Sequence, residues 1–295
     1  MSASVLVVGD VMTDIIVRPE GPVVPGSDRR AEIRSRPGGS GANQAVWLGA
    51  ADVDVIFAAR VGAADRDAHE AYFRRRGVNP VLAADPDLPS GMLVTLLDPS
   101  GERSFLTDRG ANLRLSPADL PATLLDGAGL LLVSGYSFFA PGPRQAVQSL
   151  LEAARQRRVP IAIDPASTGF LAEMGPALFR DWVGRADWLF ANDGEAEMLS
   201  GETDRAAQLR DLGSQFTHVL IKCGPDGAVL GGRDGIAVSR PAPQVEVVDT
   251  TGAGDAFAAG FIAALMSGHD LPACLERGIE GGVSAVQFIG GQPQV

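Results

Sequence analysis

Short apolar runs recur along the chain at Val5 to Val8, Val53 to Ala58, Leu130 to Val133, Ile161 to Ile163, Trp188 to Phe190 and Val219 to Ile221. Runs of this kind read as buried strands. Between them lie stretches such as Arg144 to Gln156 and Ala196 to Leu199, patterned as helices. The alternation predicts an α/β fold with a mostly parallel central sheet and helices on both faces. Two segments break the rhythm. Residues 15–36 and 92–107 are extended and turn-rich, with Pro19, Pro22, Pro25 and an Asp98-Pro99-Ser100-Gly101 turn, and they predict a small β lid beside the main sheet. No linker or internal repeat interrupts the chain. Residues 1–295 are therefore expected to form one domain carrying that lid.

One segment joins this pattern to chemistry. Val245, Val247 and Val248 predict a strand, and Phe257, Phe261, Ile262 and Leu265 recur at helical spacing. Between them, Gly252, Ala253 and Gly254 form a small-residue turn whose amides would face an anion at the start of the helix. Asp255 follows at once, where the helix dipole favours a carboxylate able to accept a hydroxyl proton. A well-capped helix with glycine in its turn is the plain alternative. A second loop, Arg36-Pro37-Gly38-Gly39-Ser40-Gly41-Ala42-Asn43-Gln44-Ala45, also feeds a helix. Its glycine amides and the Asn43 side chain suit a polyhydroxylated ligand. Asp14, after the first strand, adds a carboxylate for vicinal hydroxyls, although such a residue is also a common turn former.

Composition narrows the field. A chain of 295 residues, 45% hydrophobic and 21% charged, can bury a large core. Its formal net charge of -11 opposes nucleic acid or an anionic membrane as the main partner, so a nucleotide would need local donors. Cys223 and Cys274 provide no disulfide framework, and no basic leader or membrane-length apolar run is present. Cytoplasmic residence is the expectation. His69, His218 and His269 are isolated in sequence and make no zinc signature.

Taken in order, the two glycine motifs resemble those of the ribokinase-like, or PfkB-type, carbohydrate kinases, and the resemblance extends over essentially the whole chain. Gly38-Gly39-Ser40-Gly41-Ala42-Asn43-Gln44 is similar to the family's N-terminal signature, and Asp249-Thr250-Thr251-Gly252-Ala253-Gly254-Asp255 to its C-terminal one. Asn192-Asp193-Gly194-Glu195 resembles its N-x-x-E element, and Lys222-Cys223-Gly224-Pro225-Asp226-Gly227 its nucleotide-side strand and turn. The resemblance implies a ribokinase-like three-layer fold and an ATP-dependent sugar kinase. Asp255 would be the base, with the amides of Gly252, Ala253 and Gly254 as the anion hole. Asp14, Gly38, Gly39 and Asn43 would hold the sugar. Asn192 and Glu195 would organise the triphosphate and Mg2+, Glu195 through water. Gly224 and Gly227 would line the nucleotide side, and Lys222, the chain's only lysine, would reach a phosphate or else lie on the surface. A monovalent cation such as K+ is implied near Asp249 and Thr251, and a homodimer through the lid.

Departures from the family pattern bear on the substrate. Met12 stands where ribose-specific members tend to have Asn, Ser40 where they often have Lys, and Ser134-Gly135-Tyr136 where an acid is expected. The segment Gly101-Glu102-Arg103-Ser104-Phe105 and Arg109 look more like fructokinase and keto-sugar-acid kinase relatives, an arginine there meeting a hydroxyl or carboxylate. The helix around Glu280 to Ala285 lacks an Asn that some relatives place near adenine. A nucleoside acceptor stays open, with Met12, Tyr136 and Phe138 as an apolar wall. So does a catalytically silent sugar or nucleotide sensor on the same fold. A dinucleotide fingerprint is disfavoured because Phe257 replaces its third glycine, and a P-loop because Lys222 lies between Ile221 and Cys223.

Overall fold

The computed structural model describes residues 3–97 and 103–294. The expected Asp98-Pro99-Ser100-Gly101 turn and Glu102 lie outside the described residues. In chain order the strands are β1 (Ser4–Val8), β2 (Met12–Pro19), β3 (Ala31–Gly38), β4 (Val55–Gly62), β5 (Val78–Asp85), β6 (Gly91–Leu97), β7 (Arg103–Asp108), β8 (Ala128–Ser134), β9 (Ile161–Asp164), β10 (Ala186–Asn192), β11 (Phe216–Lys222), β12 (Ala228–Gly232) and β13 (Gly235–Arg240). The helices are α1 (Ser40–Ala50), α2 (Arg66–Arg75), α3 (Pro141–Arg157), α4 (Thr168–Met174), α5 (Pro176–Val183), α6 (Asp193–Ser200), α7 (Arg205–Leu212), α8 (Ala253–Met266) and α9 (Leu271–Ala285).

Nine strands form one sheet in the order β13-β12-β11-β10-β9-β8-β1-β4-β5. It is parallel from β5 to β11, and β12 and β13 extend it as antiparallel hairpins. Alternation along β1 explains the layering: Val5 and Val7 enter one core, Leu6 and Val8 the other. The first core is closed by α1, α2, α8 and α9 through residues such as Leu48, Phe73, Phe261 and Leu275. The second is closed by α3 to α7 through Leu150, Leu171, Phe179, Leu199 and Leu209. The chain leaves β1 in one direction, toward β4 and β5, and later fills the other side from β8 to β11. That reversal opens a crevice at the carboxyl ends of the strands, the usual ligand position in such sheets.

A second sheet, ordered β3-β2-β6-β7, occupies the two segments that broke the helical rhythm. Its register places Asp14, Arg36, Leu93 and Thr107 on one face and Thr13, Ile15, Val94 and Leu106 on the other.

One expected strand does not form. Residues 241–249 have no strand partner, and Val247 and Val248 are 58% and 48% exposed. Pro241 and Pro243 remove two backbone donors, and the segment instead drapes over the end of α9, with Val248 N and Asp249 N donating to Val286 O at 2.8 and 3.2 Å. A loop, not a strand, therefore feeds α8.

Candidate active site

The crevice is a cleft of about 460 Å³. Strand ends supply Asp164, Asn192 and Lys222, the second sheet supplies Met12, Asp14 and Phe105, and the start of α8 supplies Gly252, Gly254 and Asp255. Residues as far apart in the chain as Met12 and Asp255 meet here because parallel strands end at a common edge.

Asp255 lies in the first turn of α8, whose N-cap is Gly252 with φ 75°. A side chain at 252 would fall 2.4 Å from the backbone of Gly291, so this glycine is required by close approach as well as by its left-handed conformation. The Asp255 carboxylate is held at both oxygens: Ser40 Oγ donates to Oδ1 at 2.7 Å and Asn43 Nδ2 donates to Oδ2 at 2.9 Å. These donors arrive because α1 docks its first turn against β1, Gly41 and Gly9 meeting where a Cβ would be 2.5 Å from the facing Cα. Burial raises the Asp255 pKa to about 7, with the Asp164 carboxylate adding to the rise and the Asn43, Ser40 and Lys222 donors opposing it. Asn43, expected on the sugar, is thus committed in part to orienting this carboxylate.

Lys222 is not on the surface. At the end of β11 its ammonium donates to Asp164 Oδ2 at 3.2 Å. A Cβ on Gly254 would lie 3.1 Å from Lys222 Nζ, so the glycine leaves room for the lysine against α8. Burial works against the lysine's charge, but Asp164, Glu195 and Asp255 more than offset it and raise its pKa. Asp164 escaped the sequence reading. Its only local signal was an acid closing a short apolar run, and its value depends on β9 ending beside β10 and β11.

Asn192 and Glu195 cap α6 reciprocally: Glu195 N donates to Asn192 Oδ1 at 2.9 Å, and Asn192 N donates to Glu195 Oε2 at 2.8 Å. Both also line the cleft. Glu195 is buried, and burial pushes its pKa up, with Lys222 opposing and Asp164 reinforcing.

Across the cleft, Asp14 Oδ1 is buried without a hydrogen-bond partner. Burial, then Asp10 and Asp249, raise the Asp14 pKa to about 6. Gly38 does not line the cleft; a Cβ there would sit 2.3 Å from the Asp14 carboxylate, so it clears the space Asp14 occupies. Gly39 and Arg109 do line it. Arg109 pairs with Asp10 at 3.4 Å and lies over the Tyr136 ring, 4.7 Å from its centroid. Tyr136 also packs edge-on against Phe170, another lining residue that the sequence did not single out. Phe138, expected as part of an apolar wall, is fully buried against Phe179 and lies in the core instead.

Two expected groups stand apart from the cleft. Gly224 and Gly227 shape the turn between β11 and β12, where a side chain on Gly227 would overlap Arg240 O at 2.0 Å. Ala253 N is 3.3 Å from Thr250 O, a long bond within the turn. Asp249 braces that turn: its Oδ1 accepts from Thr251 N at 3.0 Å and Thr251 Oγ1 at 2.8 Å, and its Oδ2 accepts from Gly290 N at 3.0 Å.

Fold and cleft together define a doubly wound α/β protein with a cleft lined by many polar and charged side chains at its switch point. Residues 2–294 match the pfkB family carbohydrate kinase model. The chain belongs to that family. It is 31% identical over 284 residues to an ATP-dependent ribose-1-phosphate kinase of Halopiger xanaduensis, covering 92% of this chain and 88% of the relative. To an aminoimidazole riboside kinase of Salmonella typhimurium it is 32% identical over 276 residues, 88% of this chain and 79% of the relative. A putative ribokinase II from E. coli, solved with ATP and Mg2+, superposes with a TM-score of 0.86 at 21% identity, covering 98% of this chain and 94% of that one. The fold is accordingly ribokinase-like, with a small second sheet.

Proposed function

We propose that this protein transfers the γ-phosphoryl group of ATP to a hydroxyl of a small sugar, fructose-like or ribose-like, with Asp255 as the base. The observation that carries the reading is the Asp255 carboxylate itself, oriented by Ser40 and Asn43 at a helix N-terminus and raised to about 7 by burial. A base with that pKa is about half ionised at neutral pH and, where ionised, accepts a proton far more readily than an ordinary carboxylate. The acceptor oxygen bonds to the γ-phosphorus as the bond to the β-bridging oxygen breaks; the hydroxyl proton passes to Asp255, and ADP departs. The amides of Gly252 and Gly254, on the cleft wall, would face the charge on the transferring group, whereas the expected Ala253 amide is turned to Thr250 O; Lys222 adds a fixed cation beside them.

Asp14, with its unpartnered oxygen, awaits a hydroxyl donor, and Gly39, Asn43 and Arg109 complete the sugar side, with Gly38 making room. On the other side Asn192 and Glu195 face the nucleotide, while Gly224 and Gly227 shape the hairpin bordering it. Mg2+ fits the chemistry of this wall, since Glu195 and Asp164 are hard oxygen donors whose combined charge the single Lys222 ammonium only partly offsets; bound with the triphosphate, the ion would neutralise phosphate charge. Among the described residues no group of three or more acidic, cysteine or histidine side chains forms a metal cage, which suits an ion held largely by phosphate and water. A monovalent cation such as K+ near Asp249 and Thr251 would draw on backbone carbonyls of the turn that Asp249 braces.

The whole chain is read as one domain with the second sheet as its lid. A nucleoside acceptor is the second reading, favoured by Met12, Tyr136 and Phe170 on the cleft wall. A coupled ADP-release screen over pentoses, hexoses, keto-sugar acids, sugar phosphates and nucleosides tests the proposal. Turnover of a sugar supports it; turnover of nucleosides alone favours the second reading. Ligand binding without turnover of any acceptor would leave a silent sensor.

A further inference from the structure

The cleft has a side chamber of about 180 Å³. The two share Asp14, Leu93, Phe105 and Thr251, so a ligand in one can reach into the other. Three arginines of the second sheet line the chamber, and they are not equivalent. Arg34 is neutralised by Glu32, its Nε donating at 2.6 Å. Arg18 forms no ion pair among the described residues. Arg36 stands directly opposite Asp14 in the β2–β3 register, yet the two form no ion pair, and Arg36 Nε is buried with no hydrogen-bond partner. Beside it Gly290 leaves the room the arginine stem needs, since a Cβ there would lie 3.2 Å from Arg36 Cδ.

A buried guanidinium N–H and a buried carboxylate oxygen, both unsatisfied and on neighbouring strands, form a matched pair of vacancies. The carboxylate can only accept from the ligand, and the guanidinium can only donate to it. A hydroxyl suits the first, and an oxyanion suits the second, because a planar fork of donors matches phosphate or carboxylate. No residue of β9, β10 or β11 lines the chamber, so it belongs to the acceptor side of the cleft and not to the wall carrying Asn192 and Lys222. The other acids facing it are engaged: Glu32 with Arg34, and Asp249 with Thr251 and Gly290.

We propose that the acceptor is an anionic sugar, bearing a phosphate or a carboxylate, and that Arg36 receives this group in the side chamber while Asp14 takes a hydroxyl at its junction with the cleft. Arg18 adds positive field at the same wall. The proposal rests on the kinase reading above and names its substrate class.

The test is steady-state kinetics of the full chain with ATP and matched acceptors: ribose against ribose 1-phosphate and ribose 5-phosphate, fructose against fructose 6-phosphate, and glucose against gluconate. At least one anionic acceptor is expected to exceed its neutral parent in kcat/KM by roughly ten- to hundredfold, the worth of a charge-assisted contact. Which arm responds distinguishes phosphate from carboxylate. Arg36→Gln should shrink that ratio by a similar factor, mainly through KM, and Arg36→Lys should restore part of it. Neutral parents used as well as their anionic forms, or an Arg36→Gln loss equal for both, would overturn the proposal. Calorimetric titration of the same sugars separates the two readings. Anionic sugars that bind, and bind Arg36→Gln at least tenfold more weakly, support the chamber even if no acceptor is turned over, in which case the transfer reading alone fails. If none binds and none is turned over, both fail. Should Arg36→Gln not fold, the Arg36→Lys comparison carries the same decision.

Discussion

At the residue scale, the chemistry turns on how two charges share a crowded space. Asp255 has a pKa near 7 because burial and Asp164 disfavour its charge more than Ser40, Asn43 and Lys222 favour it. Asp255→Asn should keep ATP and acceptor KM within a few fold while lowering kcat about 10²- to 10⁴-fold, measured by coupled ADP release. In the wild type, kcat/KM should rise with pH through about 7, as the free carboxylate becomes available. Stability should move the other way. The unfolded chain releases this proton near 3.8 and the folded chain holds it to about 7, so Asp255 costs stability progressively as pH rises through that window. The Asn variant, lacking that term, should gain in relative stability across it. Lys222→Met removes a cation that lowers the Asp255 pKa and leaves Asp164 without its partner. The acid limb of the pH–rate profile should therefore move to higher pH, and an unmoved limb would take Lys222 out of the electrostatics of the base.

At the scale of elements, α8 shows what local sequence can and cannot reveal. Its start was legible because a glycine turn followed by an acid and a helical apolar pattern is a local code, and Gly252 carries the left-handed φ that the code requires. Gly252→Ala should lose at least about 1–2 kcal/mol of stability from the backbone conformation alone, more from overlap with Gly291, and reduced turnover should accompany it; denaturant melts and kcat measure the two effects. The segment before α8 was misread for an instructive reason. Valines at 245, 247 and 248 have strand character, but a strand is made by a neighbour, and the sheet already ends at β13. Asp164 was passed over, and Ser40 noted only as a departure from the family pattern and not as a partner of Asp255, for the same reason inverted. Each is unremarkable locally and acquires its role only because α1 and β9 deliver it to a carboxylate 215 or 91 positions away in sequence.

For the whole molecule, the alternation of apolar runs was enough to anticipate the layered sheet, since period and length are carried by the sequence itself. Strand order, and hence the meeting of the cleft residues, was not, because it depends on crossovers that no short window contains. The second sheet adds a feature that the pattern anticipated only in outline. Its face away from the cleft exposes Ile33 at 63%, Leu106 at 65% and Met92 at 42%, an apolar surface whose outer strands β3 and β7 are each paired on one side only among the described residues. A homodimer through that face is expected. Sedimentation velocity should find a dimer for the wild type and a monomer for the Ile33→Asp, Leu106→Asp double variant; a wild-type monomer at micromolar concentration would remove the expectation.

The solitary lysine has one more consequence. A chain with twenty-four arginines' worth of positive charge and a single primary-amine side chain offers amine-directed reagents only Lys222 and the chain terminus. Lys222 lines the cleft and is clamped to Asp164 with its pKa raised, so it should acylate slowly in the free protein and more slowly still when a nucleotide fills the cleft. The rate of labelling at that one position is thus a gauge of whether the cleft is occupied, already written into the protein and requiring no engineered probe.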